Sequence, residues 1–264
     1  MPLYVDETGT LGSTSIVFLH GIGTSGWMWW RQISAFADFH CLNVDLPGHG
    51  KSNHITWASL TGTAHQVAAV IQSRATNGRA HVVGLSLGAH ITLGLLQHHP
   101  DLLQRAVLSG VTAAPMPNRI LLKPQIALMS ILKRRWFADI QAKSLNLPAH
   151  AQAAFTENLL AMSMATYRRI WEEVAEFQVP SALQHVDTPT LITAGGNEST
   201  IIRQAVNVIP EMMPHAQGRI APGRGHGWNI EAPDLFNAMV RAWITGTLLP
   251  SGLRVVTGGN TTSG

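Results

Sequence analysis

The stretch Ala80-His81-Val82-Val83-Gly84-Leu85-Ser86-Leu87-Gly88-Ala89-His90 decides the reading of this chain. A short apolar run leads into Gly-Leu-Ser-Leu-Gly, and a helix-compatible run leads out of it. Strand, sharp turn and helix together make the context of a nucleophile elbow, in which a serine hydroxyl is lifted clear of the backbone. A serine at the apex of so tight a turn is held in a strained conformation. Side chains at Gly84 and Gly88 would collide with the adjoining strand and helix. The turn also sets Ser86 at the N-terminus of the next helix, where free N–H groups can face a developing negative charge.

Working outward, strand-like runs fall at Ser15 to His20, Phe39 to Leu46, Arg105 to Val111, Pro189 to Ala194 and Ala216 to Ala221. Most are continuous and rich in Val, Ile and Leu, as expected of strands buried on both faces. Helical patterns lie between them, at Trp27 to Ala37, Leu60 to Thr76, Leu87 to His98, Thr200 to Ile209 and Pro233 to Thr245. This alternation predicts an α/β fold, a mostly parallel, doubly wound sheet with right-handed crossovers. Tyr4-Val5 is expected to begin an antiparallel edge strand.

Between Val111 and Pro189 the rhythm breaks, and only helical patterns remain: Asn118 to Phe137, Ala149 to Met164 and Ala165 to Phe177. An insertion this long is expected to form a helical cap over the carboxyl ends of the strands. The predicted organisation is a core of residues 1–112 and 186–249, a cap of 113–185 and a flexible Gly-, Ser- and Thr-rich tail of 250–264. Met116, Met129, Trp136, Phe137, Met162, Met164 and Trp171 are cap residues suited to an apolar pocket. Trp27, Trp136, Met162 and Trp228 are the pocket candidates carried forward.

Composition narrows the function. The 264 residues carry 45% hydrophobic and only 12% charged side chains, with a formal net charge of +3. That suits a buried parallel sheet in one large domain. No run approaches the about twenty apolar residues of a membrane span. The opening Met1-Pro2-Leu3-Tyr4-Val5-Asp6-Glu7 lacks the basic start and apolar core of a signal peptide, so a cytoplasmic location and no membrane partner are expected. Lys123, Lys133, Arg134 and Arg135 form a basic cluster without interleaved stacking aromatics, so no nucleic acid is expected. Cys41 sits in an apolar run as a core thiol. The 13 histidines show no metal-ligand spacing, so neither metal nor cofactor is expected.

A serine nucleophile needs a base, an orienting acid and oxyanion donors. His226 follows the last strand run in the glycine-rich loop Pro222-Gly223-Arg224-Gly225-His226-Gly227, which can reach across the sheet. Glu198 lies just past the carboxyl end of the Pro189 to Ala194 run, in Gly195-Gly196-Asn197-Glu198-Ser199. Asp45 also sits past a strand end and is the second candidate acid. Asp187 precedes its strand and so lies at the wrong end. Leu87 is expected to give one oxyanion N–H. The loop His20-Gly21-Ile22-Gly23-Thr24 gives the other, from Ile22 or alternatively Gly23. His20 reads as a structural hydrogen-bonder of that loop, and His90 as a packed helix residue.

The motifs Phe18-Leu19-His20-Gly21-Ile22-Gly23, Val44-Asp45-Leu46-Pro47-Gly48-His49-Gly50-Lys51-Ser52, Gly84 to Gly88, Gly195 to Glu198, and Gly225-His226 with Glu231-Ala232-Pro233 together resemble the α/β-hydrolase superfamily, in its cap-bearing branch. The resemblance covers the core from end to end. It implies the α/β-hydrolase fold and a Ser86, Glu198, His226 triad. It also implies that Asp45 to Ser52 is a structural turn, which demotes Asp45 and His49 as catalysts. The family usually has Asp where this chain has Glu198, and the extra methylene requires a shifted backbone.

The implied activity is cleavage of a small-molecule carboxylic ester of small to medium apolar character. A carbon–carbon bond hydrolase or a lactonase could use the same triad, and a ligand-binding receptor could keep the fold with little turnover. An acidic substrate would call for cations near the pocket. Arg119, Arg168, Arg169 and Arg224 are available, and the sequence does not separate them. Nothing in the sequence specifies an oligomeric state.

Overall fold

The computed structural model describes residues 2–117, 133–144 and 149–256. Eight strands form one sheet: β1 (Val5–Gly9), β2 (Ser15–Leu19), β3 (His40–Val44), β4 (Ala80–Leu85), β5 (Leu103–Ser109), β6 (Thr190–Gly195), β7 (Ala216–Ala221) and β8 (Arg254–Val255). Their spatial order is β1-β3-β2-β4-β5-β6-β7-β8. The six inner strands run parallel, and β1 and β8 close the two edges in antiparallel pairing. Strands β2, β3, β4 and β6 are buried along their whole length, which is why they read as mostly apolar runs without strict alternation.

Helices cover both faces. On one side α2 (Leu60–Arg74), α3 (Leu87–His98) and α7 (Thr200–Met212) pack against Val17, Leu19, Val82, Leu108, Ile192 and Ile220. On the other, α8 (Pro233–Thr245) and the residues Met28, Trp29 and Phe36 cover Ile16, Phe18, Val83, Val107 and Leu191. The expected Trp27 to Ala37 helix divides into a 3-10 turn at Gly26–Trp29 and α1 at Trp30–Ala35. Between β5 and β6 lie α4 (Arg135–Ser144), α5 (Ala149–Ala161) and α6 (Met164–Glu176). The Ser163 hydroxyl caps α6 by accepting from Thr166 N–H. Glu173 of α6 fastens this insertion to the core, accepting from Trp57 Nε1 at 3.1 Å and Leu60 N–H at 2.7 Å. Most of the expected Asn118 to Phe137 helix, with Met129 and Arg119, lies outside the described residues.

One expectation is corrected. Gly-rich composition predicts a flexible chain from Pro250, yet Leu253 is buried and Arg254–Val255 pairs with Arg219 and Ile220 of β7. The antiparallel pairing satisfies the open edge of β7. Residues 257–264 lie outside the described set. Among the described residues, no helix is long and apolar enough to cross a membrane.

The turn from β4 into α3 brings backbone segments very close together. A Cβ on Gly88 would fall inside contact distance of the Leu19 carbonyl on β2, and one on Gly84 would strike the Gly88 carbonyl. Both obstacles are backbone, which cannot swing aside as a side chain can. Gly88→Ala is therefore expected to cost roughly 1–3 kcal/mol of stability as overpacking. A lowered urea midpoint with unchanged slope is the reading that checks it.

Candidate active site

Ser86 sits between β4 and α3 with φ 55° and ψ −112°, one of two non-glycine residues with positive φ among those described. Such a conformation costs of order 1–3 kcal/mol and persists only where the surroundings impose it. Here they do. Ser86 N–H donates to Ser109 O at 2.8 Å, and Gly88 N–H donates to His20 O at 3.1 Å. The elbow is thus tied to a strand on each side.

His226 and Glu198 arrive from two loops that are hydrogen-bonded to each other. Gly196 N–H donates to Ala221 O and Asn197 N–H to Arg224 O, both at 2.8 Å. Gly195 allows this approach, since a Cβ there would meet the Arg224 and Gly225 carbonyls. The Glu198 side chain is 1% exposed. Its Oε1 accepts from Gly195 N–H at 2.8 Å, and its Oε2 accepts from His226 Nδ1 at 2.5 Å. The carboxylate so fixes the imidazole tautomer, with a proton on Nδ1 and a free Nε2. Gly110 backs the ring: its φ is +71°, and a Cβ would lie 2.7 Å from His226 Cε1. Sequence reasoning missed that glycine. Its position directly after a strand, opposite the histidine loop, was the available signal.

Ser86 and His226 line one cavity of about 830 Å³. Ser86 Oγ makes no hydrogen bond among the described residues. Nucleophile–base contacts of this kind commonly tighten only with substrate present. Ile22 lies on the same cavity, and a Cβ on Gly21 would be 3.5 Å from Ser86 Cβ, so the loop passes close above the hydroxyl. Neither Ile22 N–H nor Gly23 N–H has a partner among the described residues. Leu87 N–H belongs to the first turn of α3, where backbone donors lack intrahelical partners. The site therefore offers a hydroxyl, a tautomer-fixed imidazole and unspent N–H donors around one space, the equipment of acyl transfer.

The cavity wall is aromatic and aliphatic, with Ile22, Trp27, Met28, Trp30, Phe155, Trp171 and Ile230. Trp27 is among the expected pocket residues, and Phe155 of the insertion meets its ring edge-on at 6.1 Å. The other three are corrected. Trp228 is fully buried, with its Nε1 donating to Ser109 Oγ at 2.9 Å, so it anchors the histidine loop in the core. Met162 is buried within the insertion, in the core cluster with Tyr167 and Ile170. Trp136 is 58% exposed and stacks edge-on with Phe137, away from the cavity lining. Sequence reasoning missed Phe155 and Arg31. Of the cations considered, Arg224 lines the cavity, as does Arg31, whose guanidinium lies 4.5 Å over the Trp30 ring. Arg168 and Arg169 are exposed and do not line it.

Asp45 is not available as the acid. Its two oxygens accept from Gly26 N–H at 2.7 Å and Lys51 N–H at 2.8 Å. Asp187 is exposed beside His215. His20 donates from Nδ1 to Gly21 O at 2.8 Å and accepts at Nε2 from Leu46 N–H at 3.0 Å, which braces the Ile22 loop. Among the described residues no group of three or more His, Cys, Asp or Glu could hold a metal ion.

The sequence matches the Alpha/beta hydrolase family over residues 16–239, and the chain belongs to that family. It is 28% identical over 260 residues to an AB hydrolase superfamily protein of Gibberella zeae, covering 93% of this chain and 85% of that one. It is 27% identical over 258 residues to a 2-hydroxy-6-oxononadienedioate/2-hydroxy-6-oxononatrienedioate hydrolase of Burkholderia vietnamiensis, covering 90% and 89%. The structure resembles that of a thermophilic esterase from Thermogutta terrifontis, with a TM-score of 0.74, 19% identity and coverage of 92% and 93%. At that identity the likeness speaks for the fold.

Four histidines near these strands are held neutral. Burial lowers the pKa of His20, His81 and His90 to about 4 and that of His49 to about 3. The unfolded chain protonates them near 6.5, so their contribution to stability is complete above that pH. It is lost as pH falls from 6.5 toward the folded values, at up to about 1.4 kcal/mol per histidine per pH unit. Urea unfolding between pH 7 and pH 5 is expected to show a midpoint that drops steeply with acidification.

Proposed function

We propose that the protein is a serine hydrolase that cleaves carboxylic esters of small to medium apolar substrates through an acyl-enzyme. The observation that carries this reading is Ser86 on its strained turn, opening together with His226, itself paired to the buried Glu198, onto one largely apolar cavity. His226 Nε2 takes the Ser86 proton as Oγ attacks the substrate carbonyl. Leu87 N–H and the N–H of Ile22 receive the oxyanion. His226 then protonates the leaving alcohol, activates water against the acyl-serine and returns the proton to Ser86. Glu198 stabilises the imidazolium through its bond to Nδ1. No cofactor takes part in this sequence.

A second reading is favoured by Arg31 and Arg224 on the same cavity. Two guanidinium groups suit a substrate carboxylate. The related Burkholderia protein is named for hydrolysing dienedioates and trienedioates, which are dicarboxylates. In this reading the same three residues cleave a carbon–carbon bond of an acidic substrate.

Turnover of p-nitrophenyl esters from acetate to laurate, compared between wild type and Ser86→Ala, separates the two. The ester reading expects turnover peaking at one chain length and falling about 10³-fold or more in Ser86→Ala. Feeble turnover across the series, with Ser86 still labelled by a fluorophosphonate, moves the assignment to the acidic substrate. Glu198→Gln is expected to lower kcat by roughly 10³–10⁴-fold, because the amide cannot fix the imidazole in the required tautomer. Steady-state kinetics on the best ester reads that loss.

A further inference from the structure

The Ser86 carbonyl and the Leu87 N–H belong to one peptide unit. That unit is planar and trans, so its oxygen and its hydrogen point in opposite directions. Whatever holds the oxygen therefore aims the hydrogen. Ser86 O accepts from Ala89 N–H at 2.9 Å and from His90 N–H at 3.1 Å, as the start of a helix provides. It also accepts a third bond, from His90 Nδ1 at 2.9 Å.

That third donor is itself held in place. A carbonyl only accepts, so the proton of the neutral ring is on Nδ1, and Nε2 accepts from Thr112 Oγ1 at 3.0 Å. The ring is 2% exposed. The Phe177 ring stands perpendicular to it at 4.8 Å. Thr112 follows β5, before the inserted helices, and Phe177 follows α6, the last of them. The two flanks are joined where Val179 N–H donates to Ala113 O at 3.0 Å. His90 is thus wedged between both ends of the insertion and the backbone of the nucleophile.

We propose that His90 is a positioning residue that pins the Ser86–Leu87 peptide plane and so aims the Leu87 N–H at the substrate oxyanion. The proposal rests on the acyl-transfer reading above, in which that N–H acts. Without the side-chain bond the strained Ser86 could relax by tilting this plane, which would swing the N–H out of line. Donation into the carbonyl also polarises the amide and strengthens its N–H as a donor.

The test compares wild type with His90→Leu, which removes the donor, and His90→Asn, whose amide nitrogen can take the place of Nδ1. Active sites are titrated first, so that misfolded protein does not enter the rates. The readouts are the rate of Ser86 labelling by a fluorophosphonate, the affinity for a trifluoromethyl ketone that forms an oxyanion on Ser86, and kcat against KM on the best ester. His90→Leu is expected to lose roughly tenfold or more in labelling rate and in kcat, with KM little changed. The ketone is expected to weaken by the same factor, and His90→Asn to recover most of each loss. Unchanged labelling and ketone affinity in His90→Leu, or losses that His90→Asn does not recover, would overturn the proposal. If His90→Leu does not fold, Thr112→Val removes the ring's own support. A smaller loss in the same two readouts supports the role, and no loss overturns it. A wild type that neither labels nor turns over would instead sink the acyl-transfer reading, and this proposal with it. A wild type that labels beside an unaffected His90→Leu sinks only the role of His90.

Discussion

Everything at this site depends on how closely two pieces of backbone pass. The first turn of α3 crosses the end of β2 so near that the Leu19 carbonyl occupies the place of a Gly88 side chain, while Gly84 faces the Gly88 carbonyl in the same way. The contact puts Ser86 into a left-handed conformation that it would not otherwise keep. Register does the rest. Leu19 pairs with Gly84, and Leu85 pairs with Ser109, so the ends of β2, β4 and β5 are level. The Ile22 loop, the serine and the backing Gly110 therefore emerge side by side. The geometry of the candidate site follows from sheet register, with the glycines as the condition that lets the register close.

The polar groups beneath the site follow one pattern. His20, His49 and His90 are buried, and each ring is hydrogen-bonded to a backbone carbonyl, which fixes a neutral tautomer. Burial holds all three uncharged. A protonated imidazole in any of these places would carry its charge in a dry interior, and at His20 and His90 it would also lose the nitrogen that accepts from Leu46 N–H or Thr112 Oγ1. The exposed, carboxylate-paired ring of His226 stands apart from them. The three buried neutral rings brace backbone, and of these four only His226 is hydrogen-bonded to a carboxylate.

The core and the backbone frame of the candidate site were legible in the sequence for the same reason. Backbone demands leave few residue choices, so Gly84, Gly88, the apolar strand runs and the loops bearing Glu198 and His226 could be read directly. The cavity wall was less legible, because whether an aromatic faces a cavity or the core depends on tertiary direction. Trp27 and Trp228 are the same residue type, each beside a glycine-containing loop. One lines the cavity and the other is buried with its indole N–H spent on Ser109. Composition also misled at Pro250, where Gly and Ser suggested freedom but an unpaired edge on β7 recruited Arg254–Val255. An edge needs a partner of suitable length more than of suitable composition.

The longer acid is explained by its second bond. Glu198 bridges two donors, Gly195 N–H behind it and His226 Nδ1 ahead of it. The first bond folds the side chain back over its own turn, which takes up the additional methylene without moving the carboxylate away from the histidine. That return is possible because Gly195 lies against the Arg224 and Gly225 carbonyls, and the two loops are further joined through Gly196 and Asn197. A shorter acid on the same backbone would have to give up one of the two bonds. Losing the His226 bond would free the ring, while losing the Gly195 bond would leave a buried donor unsatisfied beside a buried charge. The loop and the glutamate are thus one solution, in which backbone closeness replaces the reach that an aspartate would need from a different turn.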